Sequence, residues 1–132
     1  MIDCHVHLGS LENIENLERL RSHLGARAMN LVCEFRSQTV NDNSSAFAAK
    51  AALPGRFYVF GGLDHSAHFS HGSLRPPSLE DQITRLIEIG ADGIKMIENK
   101  PTARRQLDIP IDSDYFAGLF GRLEDTGFPL LW

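Results

Sequence analysis

The run Asp3-Cys4-His5-Val6-His7 sets two imidazoles two residues apart inside a short apolar segment. Side chains alternate between the faces of a strand, so His5 and His7 are expected on one face, with Cys4 and Val6 on the other. Two converging ring nitrogens suit a divalent metal. Neutral imidazole is a good ligand for zinc, and also for manganese, iron or nickel, and an ion held by few protein ligands keeps positions open for water and substrate. Such an ion brings a coordinated water toward hydroxide near neutral pH. The plainer alternative is a pair of histidines hydrogen-bonded in a core or exposed at a strand end. The place of the pair, at the end of a first strand that opens a series of βα units, favours the ligand role.

Further along, Asp64 and His65 close a third apolar run and are candidate substrate-binding residues, with His68 and His71 close behind. Histidines spaced by three in a loop bearing glycine and serine lack the fixed geometry of a strand pair, so solvent exposure is the commoner explanation for His68 and His71. Lys95 lies within the apolar run Gly93-Ile94-Lys95-Met96-Ile97. A buried ammonium is costly unless paired or modified. Lys95 is therefore expected either to neutralise a buried carboxylate or to reach the mouth and bind a substrate anion. His23, near the end of a helix, is expected to act as a favourable charge there. Cys4 and Cys33 sit in strand-like segments and are expected to be reduced, packed thiols, neither a strong nucleophile.

The elements that would carry these residues alternate between β-branched apolar runs and helical stretches, the pattern of βαβ units around a parallel sheet. Five strands are expected: Met1 to Leu8, about Ala28 to Phe35, Phe57 to Leu63, about Gly93 to Ile97, and Phe128 to Trp132. Four helices are expected between them. The first, from Leu11 to Leu24, carries Leu11, Ile14, Leu17, Leu20 and Leu24 as a stripe facing the sheet and stops at Gly25. The second starts near Asn41-Asp42 or Ser44 and ends before Pro54-Gly55. The third opens on Ser78-Leu79-Glu80-Asp81, resembling a capping box, and stops at Gly90. The fourth begins after Asp112 or Ser113 and stops at Gly127. The polar stretches His65 to Pro77 and Asn99 to Asp112 follow strands three and four and are expected as active-site loops, because loops at the carboxyl ends of parallel strands converge over one mouth.

Composition narrows the function classes. A chain of 132 residues with 42% hydrophobic residues and a formal charge of −4 is an ordinary globular protein. It has no basic run fit for nucleic acid, and Arg104-Arg105 is expected to be a solvated loop pair. No apolar stretch approaches the roughly 20 residues that cross a bilayer, and Asp3 and His5 stand where a signal peptide needs a basic and then an apolar run. A cytoplasmic protein acting on a small-molecule substrate is the expectation, with neither nucleic acid nor membrane as partner.

The segment Ile2-Asp3-Cys4-His5-Val6-His7-Leu8 resembles the opening strand motif of the amidohydrolase superfamily. The runs 57–64, 90–95 and 123–132 look like strands three, four and five of its amidohydrolase-related branch, so the likeness spans the chain, although only the two histidines are chemically specific. The resemblance implies a TIM-type (β/α)8 barrel of which residues 1–132 are the first five βα strands, and a metal-dependent hydrolase acting on an amide, ester or lactone-like bond. It implies His5 and His7 as metal ligands, a further His from each of strands five and six, and a general-base Asp from strand eight. Members with two metals use a carboxylated Lys or a Glu on strand four as a bridge, and this chain offers both Lys95 and Glu98. Three residues apart, these face opposite sides of a regular strand, and alternation does not choose between them because both sides of such a strand are buried.

A closed barrel of this type takes eight strands and typically ~250 residues. The chain is accordingly expected to be cut after its fifth strand and inactive by itself. Its open edge is expected to favour homo-oligomers or aggregation. Three competing readings stand beside the hydrolase: a metal-dependent decarboxylase of the same branch, a metal-dependent phosphoesterase or nuclease, and an inactive barrel fragment. The phosphoesterase reading is disfavoured by loops without basic character.

Overall fold

A computed structural model describes residues 1–34, 42–69 and 77–132. Five strands, β1 (Ile2–Val6), β2 (Ala28–Val32), β3 (Phe57–Gly61), β4 (Gly93–Lys95) and β5 (Leu130–Leu131), form one sheet in the order β1-β2-β3-β4-β5. Every neighbouring pair is parallel, as the βα rhythm requires. The expected end of the second strand at Phe35 lies outside the described residues.

The helices are α1 (Ile14–His23), α2 (Asn43–Ala52), α3 (Ser66–Phe69), α4 (Leu79–Glu88), α5 (Pro101–Leu107) and α6 (Asp114–Thr126). Their ends follow the expected chemistry. Ser78 Oγ accepts from Asp81 N at 3.1 Å to open α4, and Gly25, Gly90 and Gly127 take positive φ just after α1, α4 and α6. Two expected loops are in part helical. Ser66–Phe69 forms a single turn, and Pro101–Leu107 forms α5, with Pro101 in the first turn where its missing N–H costs nothing. Arg104 and Arg105 therefore sit on the last turn of a helix, not in a loop, and favour its negative end.

The core lies on the helix-bearing side of the sheet in two clusters. One joins Met29, Leu31, Phe57 and Val59 to Leu17, Ala46 and Ala49, and the other joins Ile94 and Met96 to Ile83, Leu86, Phe116 and Leu119. Alanines on α2 let it lie close to the strands. The α1 stripe reaches the core only in part. Leu17 is buried, whereas Leu11, Leu20 and Leu24 are each more than 40% exposed. The physical reason is position: β1 is an edge strand, and Leu11 belongs to a 3-10 turn, Leu11–Asn13, that precedes the α-helix. Arg21, on the same helix, is buried in an ion pair with Glu18 at 2.6 Å and donates to Ala26 O.

On the opposite face Ile2, Cys4, Asn30, Tyr58, Phe60 and Leu131 line an open, largely apolar hollow. Tyr58 and Phe60 alternate with Phe57 and Val59 of the core, the two-residue period of a strand. None of the helices among the described residues is long and apolar enough to cross a membrane.

Candidate metal centre

A parallel sheet in sequential order brings the carboxyl ends of all its strands to one side. His5 and His7 stand at the end of β1, Glu34 two residues beyond β2, Asp64 and His65 beyond β3, and Lys95 and Glu98 at and beyond β4. The β1–β2 register is irregular between Asp3 and Val6: Asp3 pairs with Met29 and Val6 with Leu31, so three steps on β1 match two on β2. This bulge corrects the simple alternation expected for the segment. Cys4 lines the open hollow while Val6 packs against the core cluster under the helices, so these two residues face opposite sides, not one.

The bulge nevertheless leaves the imidazoles together, with His5 Nε2 and His7 Nε2 3.3 Å apart and the ring planes at 68°. Two nitrogens each about 2.0–2.1 Å from a tetrahedral zinc ion lie about 3.3–3.4 Å from each other. The observed separation matches that chord and is long for a direct hydrogen bond between nitrogens. Partial burial lowers the His5 pKa, helped by the positive fields of His7, Lys95 and Lys100 and opposed by Glu34. His5 is thus held as the neutral imidazole that a metal needs. Among the described residues no group of three or more His, Cys, Asp or Glu side chains is placed to hold an ion. Two imidazoles fit a divalent transition metal and leave the rest of its coordination shell to other groups.

Lys95 is 3% exposed at the end of β4, and its Nζ donates to Met96 O at 3.1 Å. Burial lowers its pKa, with Lys100 adding to the effect and Glu34 and Glu98 opposing it. Glu98 turns elsewhere. Its Oε1 meets His65 Nε2 at 2.7 Å and its Oε2 accepts from Ile97 N at 2.6 Å. His65 Nδ1 lies 2.9 Å from the Tyr115 hydroxyl of α6. His65 and Glu98, the latter three residues past Lys95, are thus a buried hydrogen-bonded group behind the mouth. The Tyr115 phenol is pushed up to about 12 by burial and by the carboxylates of Glu98 and Asp64, so it stays a hydroxyl at neutral pH.

Asp64 is tied down by α4 and by its own turn. Gln82 accepts from Asp64 N at 2.7 Å and donates to Asp64 O at 2.9 Å, while Asp64 Oδ1 accepts from Ser66 N at 2.8 Å. Of the two candidate substrate residues, Asp64 is half-buried and caps α3, and His65 lies beneath the surface. His68 is exposed, its ring against Phe69 and Tyr115. His71 lies outside the described residues. His23 is exposed in the last turn of α1, where its charge was expected.

Reasoning from sequence did not single out Glu34, Lys100 or Tyr115. Glu34 carried a readable signal, being the first charged residue after the apolar run of β2, the position at which a parallel strand delivers its chain to the mouth. Tyr115 carried none, since a tyrosine beside Phe116 on an amphipathic helix reads as packing. Compared with models of known protein families and with curated proteins, the chain finds no match.

Proposed function

We propose that residues 1–132 are the first five βα units of a TIM-type (β/α)8 barrel, and that this barrel is a metal-dependent hydrolase of the amidohydrolase-related type acting on an amide, ester or lactone-like small molecule. The sequential parallel order, with core clusters on the helix side and an apolar hollow on the other, supports the barrel. The observation that carries the reaction class is the 3.3 Å separation of the His5 and His7 Nε2 atoms at the carboxyl end of β1.

His5 and His7 would hold the ion, zinc in the first instance, through Nε2. Once bound, a divalent ion acidifies water and polarises a carbonyl oxygen. The remaining work belongs to the side chains around it. His5 presents a lone pair because its surroundings disfavour the imidazolium, Lys95 holds positive charge against the mouth, and the His65–Glu98–Tyr115 group fixes the segments that leave β3 and β4. Two protein ligands are fewer than the three that catalytic zinc sites normally use, so residues 1–132 alone are expected to bind zinc weakly and to turn over no substrate.

The test is zinc titration of the purified chain, read by calorimetry and by the histidine ring signals in NMR. We expect one ion per chain, a loss of affinity of at least tenfold in His5→Ala and in His7→Ala, and no site in the double variant, all with unchanged circular dichroism. Unchanged stoichiometry in the double variant would remove the pair from the site.

A further inference from the structure

Lys95 is a buried cation without a direct ion-pair partner among the described residues, the carboxylates of Glu34 and Glu98 acting on it only from a distance. The residue is 3% exposed, and of its three donors one is used, to Met96 O. Among the described residues no carboxylate comes within ion-pair distance of it. Other cations of this molecule are treated differently. Arg21 is clamped by Glu18, and Lys50 is held by Asp92 Oδ2 at 2.6 Å and Gly90 O at 2.7 Å. The carboxylate nearest to Lys95 in sequence that is also buried, Glu98, spends both oxygens on His65 and Ile97 N. An unpaired buried charge is strongly unfavourable, and a fold that keeps one leaves two donors and a positive field for something that arrives later.

We infer that Lys95 is the anion-recognition residue of this mouth, binding a carboxylate carried by the substrate through its remaining Nζ donors, at the same end of the sheet as the His5–His7 pair. The inference deepens the proposed reaction site by naming its substrate class, small molecules bearing a carboxylate, but it needs no metal for its test. A carboxylate fits better than a phosphate ester. Phosphate sites gather several donors, from Arg forks or helix N-termini. Here a single ammonium would meet the ligand, and the Glu34 carboxylate, whose field reaches both His5 and Lys95, opposes a second negative charge. The exposed Lys100 adds to the positive field and guides the anion inward.

The experiment uses the chain stripped of metal with EDTA, so that the probes cannot bind through zinc, and failure of the zinc site would leave its outcome standing. Benzoate, benzamide and inorganic phosphate are titrated while the Lys95 Nζ and Cε signals are followed by NMR. Saturable binding of benzoate is expected, weakened at least tenfold in Lys95→Met and partly kept in Lys95→Arg, with benzamide failing to saturate. The melting temperature of Lys95→Met is expected to equal or exceed that of the wild type, because a methionine removes an uncompensated charge. Four results would overturn the inference: no benzoate binding by the wild type, equal binding by Lys95→Met, tighter binding of phosphate than of benzoate, or a marked fall in the Lys95→Met melting temperature. A bicarbonate-dependent gain of about 44 Da on Lys95 by mass spectrometry that raises zinc stoichiometry would overturn it as well, by making the residue a metal ligand.

Discussion

His65 and Glu98 meet at 2.7 Å with their side chains almost entirely buried, and Tyr115 closes the other ring nitrogen. Removing one partner of such a pair strands the other in a poorly solvating interior, at a cost of about 3–5 kcal/mol. His65→Ala is therefore expected to lower the unfolding free energy by about that much. Glu98→Gln keeps an amide oxygen for a hydrogen bond and is expected to lose only about 1 kcal/mol. Urea denaturation of the two variants measures both. Equal, small losses would show that the group is not a structural unit. Cys33 offers a contrasting buried group: burial first, and then Asp42, push its thiol up to about 12 against the opposing hydrogen bond with the Gly62 backbone, so the neutral S–H is the stable form in the core.

The elements set the site through two close approaches. Asn43, at the start of α2, pairs with Gly62 on both sides, its amide donating to Gly62 O at 2.9 Å and its oxygen accepting from Gly62 N at 2.9 Å. A Cβ on Gly62 would come within 2.9 Å of the Cys33 backbone carbonyl and 3.0 Å of Glu34 N. Backbone cannot swing aside as a flexible side chain does, so the β2 and β3 exits would have to separate. Gly62→Ala is expected to cost about 1–3 kcal/mol and to shift the Glu34 and His5 signals in NMR, whereas Gly121→Ala, at an exposed position inside α6 that meets nothing within 4 Å, should leave those signals unchanged and raise stability by about 0.5–1 kcal/mol. A Gly62→Ala variant with wild-type stability would mean that the two exits are not in contact. The β1 bulge belongs to this scale too, since it turns Cys4 and Val6 to opposite faces while keeping the imidazole pair together.

Across the whole molecule, the two core clusters respond to alkali through different groups. Cys33 belongs to the cluster under β1, β2 and β3, and Tyr115 packs against the cluster under β3, β4 and β5. Both have folded pKa values raised to about 12, above the reference values of 9.0 and 10.0. A raised folded pKa stabilises the fold fully below the unfolded pKa and loses that stabilisation as pH climbs through the folded one. The unfolding free energy is thus expected to be flat from these two groups up to about pH 8.5 and then to fall, by on the order of 2–4 kcal/mol near pH 11. Urea midpoints across that range check it. Tyr115→Phe should remove the part of the fall that begins near pH 10, and an unchanged profile in that variant would reassign it.

The alternation of apolar runs and amphipathic helices in the sequence was enough to determine five parallel strands in order and the glycine stops of α1, α4 and α6. These follow from local periodicity, capping and backbone conformation, which neighbouring residues settle among themselves. Tertiary structure alone decided that the β1 register bulges yet keeps His5 with His7, that Leu20 and Leu24 stay exposed beside an edge strand, that Pro101–Leu107 coils into a helix, that Glu98 turns to His65, and that Lys95 is buried with no carboxylate in ion-pair reach among the described residues. Each of these depends on which residues distant in the chain arrive at the same place. A partner 33 residues away, as for His65 and Glu98, leaves no trace in a local pattern. Burial of a charge can be read from its apolar neighbours, but whether that charge is paired is known only once the packed surroundings are in place.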